Sequence, residues 1–522
     1  MARLAPSIEP FRNEPVRAFA DDASRAGMHA ALSRVHGRLG RTYPLVINGE
    51  RLVGPGTIPS VNPARPHEIV GDVVAATPQD VHDALDAATA AFATWSRTPP
   101  AERAGFLFRA AAAVRERKDR FDALMIYEVG KTWVEADADT AEAIDFLEYY
   151  GREALRLADP PALVPSPLDE DNFLRYLPLG VGAIIPPWNF ALAIMAGMTS
   201  AAIVTGNTVV LKPSPDAAVV AAEFVDLLIE LGLPPGVVNF VPGDALTVGE
   251  TLVADPRTRF ISFTGSKAVG LRINEVAAKR IPGQRWIKRV IAELGGKDAI
   301  VVADDADLDA AAAGVVASAF GFSGQKCSAA SRAIVDARVY DRFLDLIAEQ
   351  TSTLRVGDPV DPVVDVGPVI NARARERILD AIETGRAEGR LISGGGAAPG
   401  EGYFVEPTVI ADVDPFSSLA QEEIFGPVLA VIRARDFDDA LALANGTDFG
   451  LTGAVYTRDP DRIARAEDEF FVGNLYVNRK CTGALVGVHP FGGFNLSGTD
   501  SKAGGPDYLL QFLQAKAIAV SR

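Results

Sequence analysis

Between Gly180 and Arg280 the chain repeats one pattern four times, a short apolar run followed by a helical stretch. The run GAIIPP precedes Ala191–Val204, NTVVLKP precedes Asp216–Leu231, VVNFVPG precedes Leu246–Val253, and RFISFTG precedes Ser266–Arg280. Strands that alternate with helices in this way imply a parallel, doubly wound sheet, an α/β fold. Gly232 followed by Pro234-Pro235 is a clear helix stop. At 522 residues the chain is too long for one core and implies two or three domains.

The flanking segments read differently. Residues 1 to about 45 read as a charged helical extension that ends in the strand Tyr43–Ile47. Thr77-Pro78-Gln79-Asp80 is a helix start, with a capping threonine, a first-turn proline and an acid at the third position. Helical character then runs to about Leu157, broken at Pro99-Pro100 and near Gly130. Leu163–Leu179, with three prolines and the acidic turn Asp169-Glu170-Asp171, reads as an extended hairpin outside the main body. A second α/β region extends from Glu293 to about Asn478. Leu509–Val520 is apolar enough to be a strand in search of a partner, which implies an oligomer.

The residues that carry chemistry are few. Cys327, in GFSGQKCSAASR, lies 34 residues after Glu293, in AELGGKD. A thiol with a small, polar lead-in can reach into a cleft and attack a carbonyl. A carboxylate between an apolar strand and the Gly295-Gly296 turn can face it as a base. Asn189 in IPPWNF has an amide that suits an oxyanion or the start of the next helix, and one residue can do both. No G-x-G-x-x-G fingerprint is present. Gly265 and Gly270 have P-loop-like spacing, but Leu271-Arg272 follow where Lys and Ser/Thr are required. Phe263-Thr264-Gly265-Ser266 remains as a strand end opening a helix, suited either to a pyrophosphate or simply to capping. Lys212 ends a parallel strand where such sheets bind ligands, and reads equally as a lysine reaching for solvent.

Other chemistries find little support. None of the 5 histidines stands at metal-ligand spacing, so no metal is expected. His489 is the sole support for a Cys–His hydrolase. Cys481, the only other cysteine, reads as a small buried hydrophobe, and two cysteines make neither a disulfide framework nor a thiolate cluster. A net charge of −17 argues against nucleic acid or an anionic membrane as partner. No run of 18 apolar residues spans a membrane, and acids at Glu9, Glu14, Asp21 and Asp22 disfavour a targeting peptide. The expectation is a reduced, cytoplasmic protein.

Taken together, PPWNF, GNTVVLKPS, FTGS, ELGGKD, GQKCS, EEIFGPV and PFGGF occur in an order that resembles the aldehyde dehydrogenase superfamily, from about Tyr43 to Val520. The resemblance implies an N-terminal helical extension (1–42), a dinucleotide-binding domain (43–160 and 180–294), a catalytic domain (295–485) and a β oligomerisation arm (161–179 and 500–522). It implies that Cys327 attacks an aldehyde, that Asn189 and the Cys327 N–H hold the oxyanion, and that Glu293 activates the hydrolytic water. NAD is the implied cofactor: Lys212 at the adenosine ribose, Ser266 at the pyrophosphate, Glu423 and Phe425 at the nicotinamide. Pro187, Trp188, Ser214, Phe263 and Gly265 complete that set.

Within the superfamily, AEAIDF (141–146), QKCSAASR (325–332) and NRKCTGALVG (478–487) resemble the branch that oxidises glutamate γ-semialdehyde, the open form of 1-pyrroline-5-carboxylate, to glutamate in proline catabolism. That closer resemblance implies that Ser328 and the backbone of Gly483 and Ala484 bind the substrate α-carboxylate. Glu142 then lies near the ammonium, and Phe190 and Phe491 sandwich the aliphatic chain. It implies a homodimer or larger homo-oligomer with proline dehydrogenase as the upstream enzyme. Met198 replaces a lysine common in the superfamily, as in this branch. Pro215 stands where an acid often binds the ribose hydroxyls, which implies tolerance of NADP. Two other readings stay open: succinate semialdehyde as substrate, and a catalytically silent protein that kept the fold.

Overall fold

The apolar runs pair into a seven-stranded sheet ordered Arg289–Glu293, Phe260–Thr264, Val181–Ile185, Thr208–Leu211, Val238–Phe240, Leu45–Ile47, Glu50–Leu52. The first five strands are parallel and the last two run antiparallel to their neighbours. This computed structural model describes residues 9–54, 56–160 and 162–522, so the first eight residues of the expected extension lie outside it. The parallel register explains where a site forms. Thr264 pairs with Glu293, Phe263 with Ile185, and Ile184 with Leu211. The segments that follow (Gly265-Ser266, Gly295-Gly296, Pro186–Asn189 and Lys212) therefore emerge side by side at the carboxyl edge of the sheet, where open α/β sheets bind ligands.

A second seven-stranded sheet is ordered Arg390–Ser393, Thr408–Ala411, Val428–Ala434, Arg332–Asp336, Ala299–Val302, Thr452–Tyr456, Asn474–Val477. Its strands are parallel except the first, and four of them are buried along their whole length. Helix Leu308–Phe320 leads into a tight turn in which Phe322 and Ser323 adopt left-handed backbone (φ 51 and 57). That turn reverses the chain so that Cys327 lies just before strand Arg332–Asp336. Such strain in non-glycine residues persists only where surrounding contacts enforce it. Here the Gln325 side chain does so, bonding the carbonyls of Phe322 and Pro368 and the N–H of Ile370.

Thr77 and Asp80 form a reciprocal capping box at helix Pro78–Trp95, as the sequence implies. Helices Pro100–Glu116, Lys118–Val129 and Trp133–Ala158 follow, with Gly130 (φ 69) as the left-handed cap between the last two. Among its described residues the extension is helical only over Asp22–His36, and residues 9–20 lie without helix or strand.

Two expectations need correction. Leu163–Leu179 is not a hairpin: its strand, Glu170–Pro178, pairs antiparallel with the C-terminal strand Leu513–Ser521. The acidic stretch that suggested a turn leads into the strand instead. The arm's C-terminal part also begins at Leu513 rather than 500, because Tyr508, Leu509 and Phe512 are buried in the first core. Among the described residues no helix is long and apolar enough to cross a membrane.

Candidate active site

A cleft of about 620 Å³ opens at the carboxyl edge of the first sheet. Pro187, Trp188, Lys212, Ser214, Phe263, Gly265, Ser266, Glu423 and Phe425 all line it, as do Asn189 and Cys327. Lys212 is buried, and its ammonium donates only to the Pro213 carbonyl at 3.3 Å, leaving donors unspent. Burial lowers its pKa to about 8, which the Asp244 carboxylate partly opposes. Ser266 is the N-cap of helix Lys267–Ala278, yet its hydroxyl makes no cap bond. The first amides of that helix therefore face the cleft side without a side-chain acceptor, the arrangement that receives a phosphate.

The Gly295-Gly296 pair is required by space. A Cβ on Gly295 would lie 2.2 Å from the Glu423 carboxylate, and one on Gly296 would lie 2.5 Å from the Cys327 carbonyl oxygen. The Gly296 N–H donates to Glu423 at 3.0 Å. Two glycines thus allow the second sheet's loops to close against the first sheet's edge.

Around the thiol the groups are acidic and buried. Burial pushes the Cys327 thiol well above its usual range, and the neighbouring carboxyls of Asp298, Glu293 and Glu423 push it further. Glu293 is raised to about 8, chiefly by burial. The Ser501 hydroxyl, 2.5 Å away, the Ser501 and Gly493 N–H groups and the Lys502 charge oppose that rise. The Asn189 amide is buried and donates one N–H to the Gln325 carbonyl at 3.0 Å, two residues before Cys327. It caps no helix: the helix that follows begins after Leu192, and Asp139 accepts from its Ala193 N–H at 2.6 Å.

Beyond Cys327, away from the cleft, lies a second set of groups. The Lys326–Glu135 ion pair (2.7 Å) ties the nucleophile segment to helix Trp133–Ala158, which carries Glu142. Burial raises Glu142 to about 8, and Asp139 adds to this while Lys131 opposes it. Lys131 forms a fully buried ion pair with Asp139 (2.9 Å) and sits 4.4 Å from the Phe190 ring centre. The Cys481 thiol donates to the Ser328 carbonyl at 3.3 Å, bringing the loop of Gly483 and Ala484 beside Ser328. Phe491 pairs with Ala503, and the next residue, Gly492, abuts the Glu293 carboxylate. Glu142, Phe190, Ser328, Gly483, Ala484 and Phe491 do not line the cleft itself; Ser328 directly follows Cys327, and the elements that carry Glu142 and Gly483-Ala484 are tied to that segment through Lys326 and Cys481.

The aldehyde dehydrogenase family model matches residues 53–518. This chain belongs to the aldehyde dehydrogenase family. It is 56% identical over 512 residues to the 1-pyrroline-5-carboxylate dehydrogenase of Geobacillus kaustophilus (strain HTA426), covering 98% of this chain and 99% of that one. The structure of 1-pyrroline-5-carboxylate dehydrogenase from Thermus with bound NAD superposes with a TM-score of 0.97 at 51% identity, covering 99% of this chain and 100% of that one. Proline utilization A from Bdellovibrio bacteriovorus, inactivated by N-propargylglycine, gives 0.97 at 45% identity, covering all of this chain and 54% of that one.

In this aldehyde dehydrogenase the free Ser266 hydroxyl, the underused Lys212 ammonium and the open helix start fit a dinucleotide. Among the described residues no cluster of His, Cys, Asp and Glu is arranged to hold a metal. Sequence reading missed four supports: Ser501 and Lys502 at Glu293, the Lys131–Asp139 pair, and Asp298 behind the thiol. Only for Ser501 and Lys502 was a signal present, in the glycine-rich tail around them.

Proposed function

We propose that this chain oxidises glutamate γ-semialdehyde, the open form of 1-pyrroline-5-carboxylate, to glutamate with NAD. One observation carries the reading. Cys327 lines a dinucleotide-sized cleft, and its segment is tied through Lys326–Glu135 to the helix that carries Glu142 and through the Cys481–Ser328 contact to the stretch that runs on to Gly483 and Ala484. A zwitterionic amino-acid head needs both a counter-acid and donors for its carboxylate. Glu142 supplies the first; the Ser328 hydroxyl and the Gly483 and Ala484 amides supply the second. Phe190 and Phe491 enclose the aliphatic stem.

The chemistry follows from the local charges. In the free protein Cys327 holds its proton, and Glu293 is poised to take it as the carboxyl ionises near pH 8. The thiolate attacks the aldehyde carbon, and the resulting oxyanion receives the second N–H of Asn189 and the Cys327 N–H. A bound nicotinamide supplies the hydride acceptor that turns the hemithioacetal into a thioester. Glu293 passes the thiol's proton to solvent, then takes a proton from water as that water attacks the thioester, and returns it to the departing Cys327 thiolate as glutamate is released. Lys212 and Ser266 hold the adenosine ribose and the pyrophosphate, and Glu423 and Phe425 orient the nicotinamide ribose and ring.

The arm of Glu170–Pro178 and Leu513–Ser521, exposed along most of its C-terminal strand, supports a homodimer or larger homo-oligomer. Likeness to part of a longer protein named for proline utilization supports proline dehydrogenase as the upstream enzyme. Both cysteines are free, which supports a reduced, cytoplasmic setting. The test is NAD reduction with 1-pyrroline-5-carboxylate, succinate semialdehyde and a plain aliphatic aldehyde. A large kcat/KM preference for the first is expected; comparable rates on all three would remove the substrate assignment.

A further inference from the structure

The extended segment Glu9–Phe19 is held to the body by charge-assisted bonds throughout. Arg17 bonds Asp119 (2.6 Å), Asp122 (2.8 Å) and Asp137 (2.5 Å), all on neighbouring helices. Arg115 bonds Glu14 at 2.8 Å, and the Glu14 N–H donates to Asp145 at 2.7 Å. Five such anchors exceed what an adventitious tail needs.

At its centre Asn13 makes a different kind of contact. One N–H of its amide donates to the Asp145 carboxylate at 2.8 Å, and the other to the Val486 carbonyl at 2.9 Å. Val486 lies two residues beyond Ala484, and its neighbour Gly487 (φ 75) packs against Phe11 and Tyr149. Asp145 lies one helical turn from Glu142. The helix that carries Glu142 therefore also holds, through Asn13, the loop that contains Gly483 and Ala484.

We infer that Glu9–Phe19 is a strap that sets the position of the loop Thr482–Gly487, with Asn13 as its positioning residue for the substrate head group. The Asn13 amide nitrogen serves here because it donates twice, to a carboxylate and to a carbonyl. Asp is isosteric but offers acceptors to both and places a second charge against Asp145. The inference rests on the substrate reading proposed above.

The experiment compares wild type with Asn13→Ala and Asn13→Asp in the full chain. Three quantities are read: KM and kcat for 1-pyrroline-5-carboxylate, the same for a plain aliphatic aldehyde, and hydrogen exchange at the Gly487 amide, which bonds the Gly504 carbonyl at 2.8 Å. Losing this bridge raises KM for the head-grouped substrate about five- to tenfold in Asn13→Ala and more in Asn13→Asp. The kcat, the KM for NAD and the aliphatic aldehyde kinetics stay within about twofold, and Gly487 exchanges faster. Unchanged KM, or equal losses on both aldehydes, overturns the inference. Should Asn13→Asp not fold, Arg115→Met loosens the strap one contact further out and gives a smaller change of the same kind. If wild type shows no preference between the aldehydes, the substrate reading fails; Gly487 exchange then decides the strap alone, unchanged exchange overturning it.

Discussion

The Ser501 hydroxyl is the most informative group to remove, because it acts on the proton affinity of Glu293 without touching the thiol. Burial raises Glu293 to about 8, and the hydroxyl holds that rise in check from 2.5 Å. A hydrogen bond to a charged acceptor contributes about 1.5–3 kcal/mol, and one pKa unit corresponds to about 1.4 kcal/mol. Ser501→Ala therefore raises the Glu293 pKa by about one to two units. Water entering the vacated space places the expectation near the lower end. The Ser501 and Gly493 N–H groups and Lys502 remain, so the carboxylate keeps its place.

The assay is the pH dependence of kcat with saturating substrate and NAD, together with the size of the first-turnover burst. In wild type the rate rises with pH as Glu293 ionises. In Ser501→Ala that rise moves about one unit toward alkali, so the variant is roughly tenfold slower at neutral pH and converges with wild type at high pH. The burst tells which of the two proton transfers to Glu293 limits the variant: it is present where thioester hydrolysis is the slow step and absent where thiol deprotonation is. A uniformly lower rate with an unmoved midpoint would show that Ser501 only positions the carboxylate. A midpoint displaced toward acid would refute the electrostatic account.

Glu293→Gln removes the base, and NAD reduction falls by about 10²–10⁴-fold. A carboxyl whose pKa rises on folding from 4.5 to about 8 gives its full contribution to stability below about 4.5 and loses it as pH rises through about 8. Melting of Glu293→Gln therefore matches wild type near pH 5 and exceeds it by a few degrees near pH 9; equal melting at both values would contradict the raised pKa. Pro215→Glu places a charge beside the ribose end of the cleft and lowers NADP activity about tenfold or more while NAD activity holds; equal losses with both cofactors would refute the cause. Gly295→Ala drives a Cβ to 2.2 Å from the Glu423 carboxylate and raises KM for NAD about tenfold, read by cofactor titration. Deleting residues 513–522 leaves Glu170–Pro178 unpaired, and light scattering then reports a smaller assembly; an unchanged mass would move the interface elsewhere.

What the sequence made legible was what neighbouring residues decide. Strand–helix alternation located the first sheet, and the parallel register then carried IPPWNF, LKPS, FTGS and ELGG to one edge. Long-range pairing stayed hidden. The partner of Glu170–Pro178 lies at the far end of the chain, with no turn between them to announce it. Ser501 is 208 residues from the carboxylate it tunes. The Lys131–Asp139 pair looks in sequence like two ordinary helix-end charges, and only burial behind Phe190 gives it meaning.

Cys481 and the two glycines show where that division breaks down. As a small buried hydrophobe Cys481 was read correctly, for it is fully buried. Burial also pushes its thiol up to about 12, so it keeps its proton and donates to the Ser328 carbonyl. Packing and positioning are therefore the same contact. Gly295-Gly296 reads in sequence as a turn, yet neither residue has a left-handed φ. What excludes a side chain there is the Glu423 carboxylate on one glycine and the Cys327 carbonyl on the other. A local glycine pair thus records two contacts made by residues far along the chain. The same logic extends to Asn13, whose local setting is a segment without helix or strand and whose chemistry is decided by Asp145 and Val486.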